Sequence, residues 1–223
     1  MEKIIYNIIY QTTNILFIIS ALSAIRVINR NDIPKYLNNF FFYPLLGSMN
    51  IIFYELNRYD IITWYPCTIA KFSFVFFHYI FLSRFIFLVI GTFFKDKVLK
   101  YIFIIISFIV IVLLIFDFKG KTYYSATAVN IGLLIYCLFY FSSLFRENPI
   151  LDLLNDPSFL IISGIFFGSC VGIPIYLFGI YLKTSIPQDI FHTIIIIGPI
   201  SSAIMYIFFI KAFLCIKPIR LTF

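Results

Sequence analysis

CTIAKFSFVFFHYIFLSRFIFLVIGTF, from Cys67 to Phe93, is the one apolar run of this chain that carries basic side chains well inside it. As a helix rising ~1.5 Å per residue it outreaches a hydrocarbon core of ~30 Å, so it predicts a membrane span. Lys71 and Arg84 stand thirteen residues apart, or ~20 Å along the axis, which starts each head group only ~5 Å below an interface. Long basic side chains reach that far by snorkelling, which makes both residues interface anchors. The surplus of basic over acidic groups within the membrane also suits an anion such as a lipid phosphate, with Lys71 and Arg84 as its candidates. His78 lies midway between them and is too short to climb out. A histidine at that depth has to face other helices and find a hydrogen-bonding partner.

Outward from this stretch the same composition continues. Hydrophobic residues make up 62% of the chain and charged ones 12%, against roughly 45–50% and about 25% in a soluble domain. The apolar runs predict an all-α, polytopic bundle of seven spans, at about 4–25, 37–56, 67–93, 101–116, 123–145, 158–181 and 189–215. The connections are too short for a separate domain, so residues 1–223 read as one transmembrane domain. The first run is interrupted by Gln11, Thr12, Thr13 and Asn14 and lacks a small-residue cleavage site, so it reads as a mature span. Span four, with Ser107 as its single polar residue, reads as lipid-facing. Pro44 looks like a breaker within span two, tolerated where neighbouring helices satisfy the freed backbone.

Counted by depth, Asn14, Asn130, Ser169, Ser201 and Ser202 fall near the plane of His78 and predict a polar belt with it. Interhelical hydrogen bonds of that kind contribute roughly 0.6–2 kcal/mol each, so the belt reads either as helix glue or as a ligand or proton site. Glu55, Asp117 and Asp189 all sit at span ends, which argues against a carboxylate relay. Gly164, Gly168 and Gly172 recur every four residues in span six and leave bare backbone for a close helix contact. The small cluster around Gly198 and Ser201 in span seven is the natural partner; a second copy of the chain is the alternative. Asp156 or Ser158 is placed to cap span six.

No nucleophile elbow, zinc-protease pair or phosphate-binding loop occurs, and His78 and His192 stand alone, so no enzyme, cofactor or metal is expected. The four cysteines have no ligand spacing. The formal charge of +7 reflects residues flanking the spans and needs no nucleic acid. Lys and Arg favour an N-out, C-in arrangement. That orientation puts Arg26, Arg30, Lys35, Arg84, Lys95, Lys97, Lys100, Arg146, Lys211, Lys217 and Arg220 inside. Lys3, Arg58, Lys71, Lys119, Lys121 and Lys183 are then outside.

At LLNDPSFLIISGIFFG, Leu153 to Gly168, and IMYIFFIKAFLCIKP, Ile204 to Pro218, the chain resembles a family of small seven-span membrane proteins of Bacteroidota, often encoded near sensor histidine kinases. The shared feature is an Asp-Pro-x-Phe turn opening span six, met by Asp156, Pro157 and Phe159. Leu160 stands where the family usually has Trp, and the Glu frequent in the family's third span is absent. The resemblance implies the topology and a signalling context. The expectation is therefore a non-enzymatic sensory or signal-relay protein of the bacterial inner membrane, meeting a partner through Lys95, Lys97 and Lys100. The alternatives are a transport or pore-forming protein, homo-oligomeric and related to an anion or lipid, and an accessory subunit of a membrane complex.

Overall fold

The computed structural model describes residues 2–28, 37, 40–58, 67–93, 97–119, 124–147 and 152–216, and among these it is helical with no strand. Among the described residues seven α-helices follow one another: α1 Glu2–Ile28, α2 Phe42–Arg58, α3 Cys67–Phe93, α4 Lys97–Lys119, α5 Tyr124–Glu147, α6 Pro157–Ser185 and α7 Gln188–Cys215. Five of them, α1, α3, α5, α6 and α7, are long and apolar enough to cross a membrane; the apolar stretches of α2 and α4 are shorter. Their outer surfaces carry large apolar side chains, such as Ile4, Ile8, Ile15 and Leu22 on α1 and Ile104, Ile105 and Phe108 on α4. A surface of that kind is at rest against hydrocarbon and would drive aggregation in water.

Neighbours in sequence are neighbours in space from α1 to α7, and α7 packs back on α1 to close the ring. α3 also touches α5 and α6, so it lies toward the middle, whereas α4 packs on α5 with only slight contact to α3. The peripheral position of α4 follows from its composition, since its polar ties are few: Ser107 is hydrogen-bonded with the Tyr79 hydroxyl at 3.0 Å, and the Phe103 carbonyl accepts from the Tyr136 hydroxyl at 3.3 Å.

Aromatic rings fill the junction of α1, α2, α3 and α7. Phe17 lies 4.4 Å from Tyr206 and 5.7 Å from Tyr43, ring centre to ring centre, and Phe40 lies 4.7 Å from Phe85 and 5.2 Å from Phe209. A β-carbon on Gly47 would overlap the Phe17 ring, so α2 reaches α1 only because that position is bare.

Two details differ from the sequence expectation or refine it. Pro44 does not interrupt α2: the helix begins at Phe42, so Pro44 sits in the first turn, where its missing N–H costs no intrahelical bond. Pro174 and Pro199, in contrast, lie inside continuous α6 and α7. At the start of α6 the Asp156 carboxylate accepts the backbone N–H groups of Ser158 at 3.0 Å and Phe159 at 3.3 Å. With Pro157 opening the helix, the Asp-Pro-x-Phe turn is a helix start whose orphan donors are satisfied by one side chain.

The glycines of α6 divide between two neighbours. A β-carbon at Gly164 would stand 3.0 Å from Phe208 Cβ and 3.2 Å from the Met205 carbonyl oxygen on α7, and one at Gly168 3.2 Å from Met205 Sδ. At Gly172 it would meet Asn130 Oδ1 of α5 at 2.9 Å. All three glycines face helices of the same chain, and Gly164 and Gly172 are buried, so this face is not offered to a second copy.

Candidate functional site

A cavity of about 140 Å³ lies between α3, α5, α6 and α7. His78 faces it from α3, Asn130 from α5, Ser169 from α6, and Ser201 and Ser202 from α7. These residues come from four separate helices, and each points inward because the remainder of its helix turns apolar residues to lipid. Around them the wall is apolar, with Val75, Val129, Ile165, Ile175 and Met205, while Gly168, Gly172 and Gly198 keep it open by presenting no side chain.

The hydrogen bonding of the five polar residues is unequal. His78 Nδ1 lies 2.7 Å from the Tyr43 hydroxyl of α2, which leaves Nε2 as the ring's remaining polar atom. Tyr43 is 2% exposed, and its ring and that of Tyr206, a wall residue of the cavity, both pack on Phe17. The bond between His78 and Tyr43 thus ties α3 to α2. Asn130 Nδ2 donates to the Ala126 carbonyl at 2.7 Å, and its Oδ1 is turned toward Gly172. Ser201 Oγ donates to the Gly198 carbonyl at 2.9 Å, one turn back on α7. Ser169 differs from the others: it is 1% exposed, and its hydroxyl has no hydrogen-bond partner within the protein. A buried hydroxyl in that condition costs free energy until something in the cavity bonds it.

Asn14 does not join the group. Its Nδ2 donates to Glu55 Oε1 of α2 at 3.4 Å, away from the cavity wall. Glu55 itself stays near the end of α2, three residues before Arg58, and is half-buried. Depth along a helix is the only information behind the grouping of Asn14, and depth does not fix which neighbour a side chain faces. Next to Asn14, Thr13 Oγ1 donates to the Ile9 carbonyl at 2.9 Å and the Pro199 carbonyl at 3.0 Å, which fastens α1 to α7 beside the cavity.

Arg84 is exposed on the outer face of α3, in line with exposed Phe77 and Ile80. The side chains of Lys71, Lys97 and Lys100 fall outside the described ones, and Lys95 lies outside the described residues altogether. Tyr43 and Tyr206 are the participants that sequence reading missed. Among 16 tyrosines, most readable as interface residues, nothing in the sequence separates these two from the rest.

Among the described residues the cavity lining contains no Asp, Glu, Lys or Arg, and no group of three or more metal-ligating side chains occurs. What these side chains offer is hydrogen bonding to a solute, in a space bounded by four helices. The chain matches no protein-family model, no curated protein and no solved structure.

Proposed function

We propose that this chain is a non-enzymatic seven-helix protein of the bacterial inner membrane, oriented N-out and C-in, that senses a small solute in the cavity and relays its occupancy to a partner. The observation that supports this reading is the convergence of His78, Asn130, Ser169 and Ser201 from four helices on one space. An occupant there touches all four helices, so a difference in fit between two packings of the bundle becomes a shift in their populations. In this reading α2, 17 residues long, and α4, 23 residues long, complete the seven spans; 17 residues is about the shortest stretch that crosses. The signalling context implied by the family resemblance points the same way. The outlet is the basic junction of α3 and α4 carrying Lys95 and, in the first turn of α4, Lys97 and Lys100, with Arg84 and Lys71 anchoring α3 at the two interfaces or holding a lipid phosphate.

Replacing Lys95, Lys97 and Lys100 together by Ala is expected to abolish co-purification of the partner while leaving the melting temperature unchanged. Retention of the partner would count against the relay. The transport reading has its own support in Pro174 and Pro199, which give α6 and α7 points of flexure beside Gly172 and Gly198 of the cavity wall. Solute flux into proteoliposomes containing the purified chain would favour transport over relay.

A further inference from the structure

From the cavity between α3, α5, α6 and α7 we infer the chemical class of its occupant: an uncharged, single-ring molecule bearing one hydroxyl group, the class of which phenol is the simplest member. The inference rests on the reading of this cavity as a binding site, and adds what that site would take.

Charge is the first restriction. Among the described residues no Lys, Arg, Asp or Glu lines the cavity, and the polar atoms that do are hydroxyls, an amide and one imidazole. A carboxylate or ammonium carried in from water would lose its hydration with no counter-charge to replace it. Size is the second. The volume of about 140 Å³ is close to that of an apolar protein cavity of ~150 Å³ known to take benzene, so a six-membered ring with one small substituent fills it.

The hydroxyl follows from what the polar lining lacks. Ser169 Oγ is buried without a partner and can donate. Asn130 donates an Nδ2 proton to the Ala126 carbonyl, and its amide packs against Gly172 with Oδ1, an acceptor, nearest. Gly172 is one helical turn from Ser169 on α6, and Ser169, Gly172 and Asn130 all line the cavity. A group that both accepts from Ser169 and donates to Asn130 answers the two together. A hydroxyl does that with one oxygen; a carbonyl or ether answers only Ser169. The rest of the ring then meets Val75, Val129, Ile165 and Met205. The bare backbone at Gly172 has a use here, because any side chain there would occupy the place of Asn130 Oδ1.

The test is calorimetric titration of the full chain in lipid nanodiscs with phenol, benzene, benzoate and benzylammonium, against empty nanodiscs as baseline. Saturable binding of phenol at one site, weaker binding of benzene and none of the two ions is expected. Ser169→Ala should weaken phenol about tenfold and leave benzene unchanged, and its unliganded melting temperature shows that the bundle is intact. Asn130→Leu, which removes the acceptor, is a second variant and should weaken phenol as well while leaving benzene unchanged. Absence of saturable phenol binding, equal binding of benzoate, or identical phenol affinity in wild type and Ser169→Ala would each overturn the assignment. Spin labels at Gly91→Cys on α3 and Leu214→Cys on α7 keep the two readings apart. Phenol that binds as described without changing the distance between them would refute the relay and leave the ligand class standing. A distance that responds to benzoate but not to phenol would do the reverse.

Discussion

The hydrogen bond between Tyr43 and His78 can be isolated by a double-mutant cycle. Tyr43→Phe removes the hydroxyl and keeps the ring against Phe17 and Phe40, at 5.7 and 5.9 Å. His78→Phe keeps a ring beside Phe74, 5.8 Å away, and beside Tyr43, 5.5 Å away. Each single change strands one polar group in surroundings with little water to replace the lost partner, since Tyr43 is 2% exposed. Stranding a buried group costs ~1–3 kcal/mol, whereas hydrogen bonds between membrane helices average ~0.6 and reach ~1.7 kcal/mol. At 2.7 Å the bond is short, which puts each single variant at ~1.5 kcal/mol of destabilisation. With both partners made apolar nothing remains unsatisfied between them, and the double variant should lose ~2 kcal/mol where simple addition gives ~3. Unfolding measured by steric trapping in bicelles gives the four free energies. Additivity to within ~0.3 kcal/mol would show that the two side chains lie close without stabilising each other.

Gly164→Ala should destabilise the bundle by ~1–3 kcal/mol, because the added methyl meets Phe208 and the Met205 backbone. Gly91→Ala and Gly179→Ala, where a β-carbon meets nothing within 4 Å, should be neutral or stabilising by up to ~1 kcal/mol in the same assay. Asp156→Ala should cost ~1 kcal/mol and raise hydrogen exchange in the first turn of α6, while Asp156→Ser restores most of the loss. Tyr79→Phe frees α4 from its tie at Ser107 and should increase proteolysis and exchange in α4 while those in α6 stay constant. Asn14→Leu should leave phenol affinity unchanged, because Asn14 bonds Glu55 and not the cavity; a weakened site would contradict that separation.

The parts of this bundle that could be read in the sequence are those set by position along a helix. The apolar runs marked out the helices to within a few residues at most ends, Asp156 announced the start of α6, and the absence of polar residues put α4 at the edge. Height in the membrane was legible too, and it gathered His78, Asn130, Ser169, Ser201 and Ser202, which the structure brings to one cavity. Rotation about the helix axis was not legible. These helices are apolar on nearly every face, so the contrast that normally tells an inward face from an outward one is missing. That is why height alone groups Asn14 with residues it does not meet, while its bond goes to Glu55 of α2. Pro44 failed for a different reason. The helix start lies some five residues beyond the start of the apolar run, which carries an earlier turn closed by the Phe41 N–H to Leu37 carbonyl bond at 3.1 Å.

The closure of the ring by α7 against α1 has a consequence for how the bundle is made. Helix α7 leaves the ribosome after the other six, yet it supplies the Pro199 carbonyl that receives Thr13, the Tyr206 ring against Phe17, and two serines of the cavity wall. Until it inserts, Thr13 lacks its Pro199 partner, Phe17 is covered only from the side of Tyr43 and Phe74, and the cavity is a cleft open along one side. The site is therefore completed by the last helix to be made, and a chain arrested before α7 has no closed cavity.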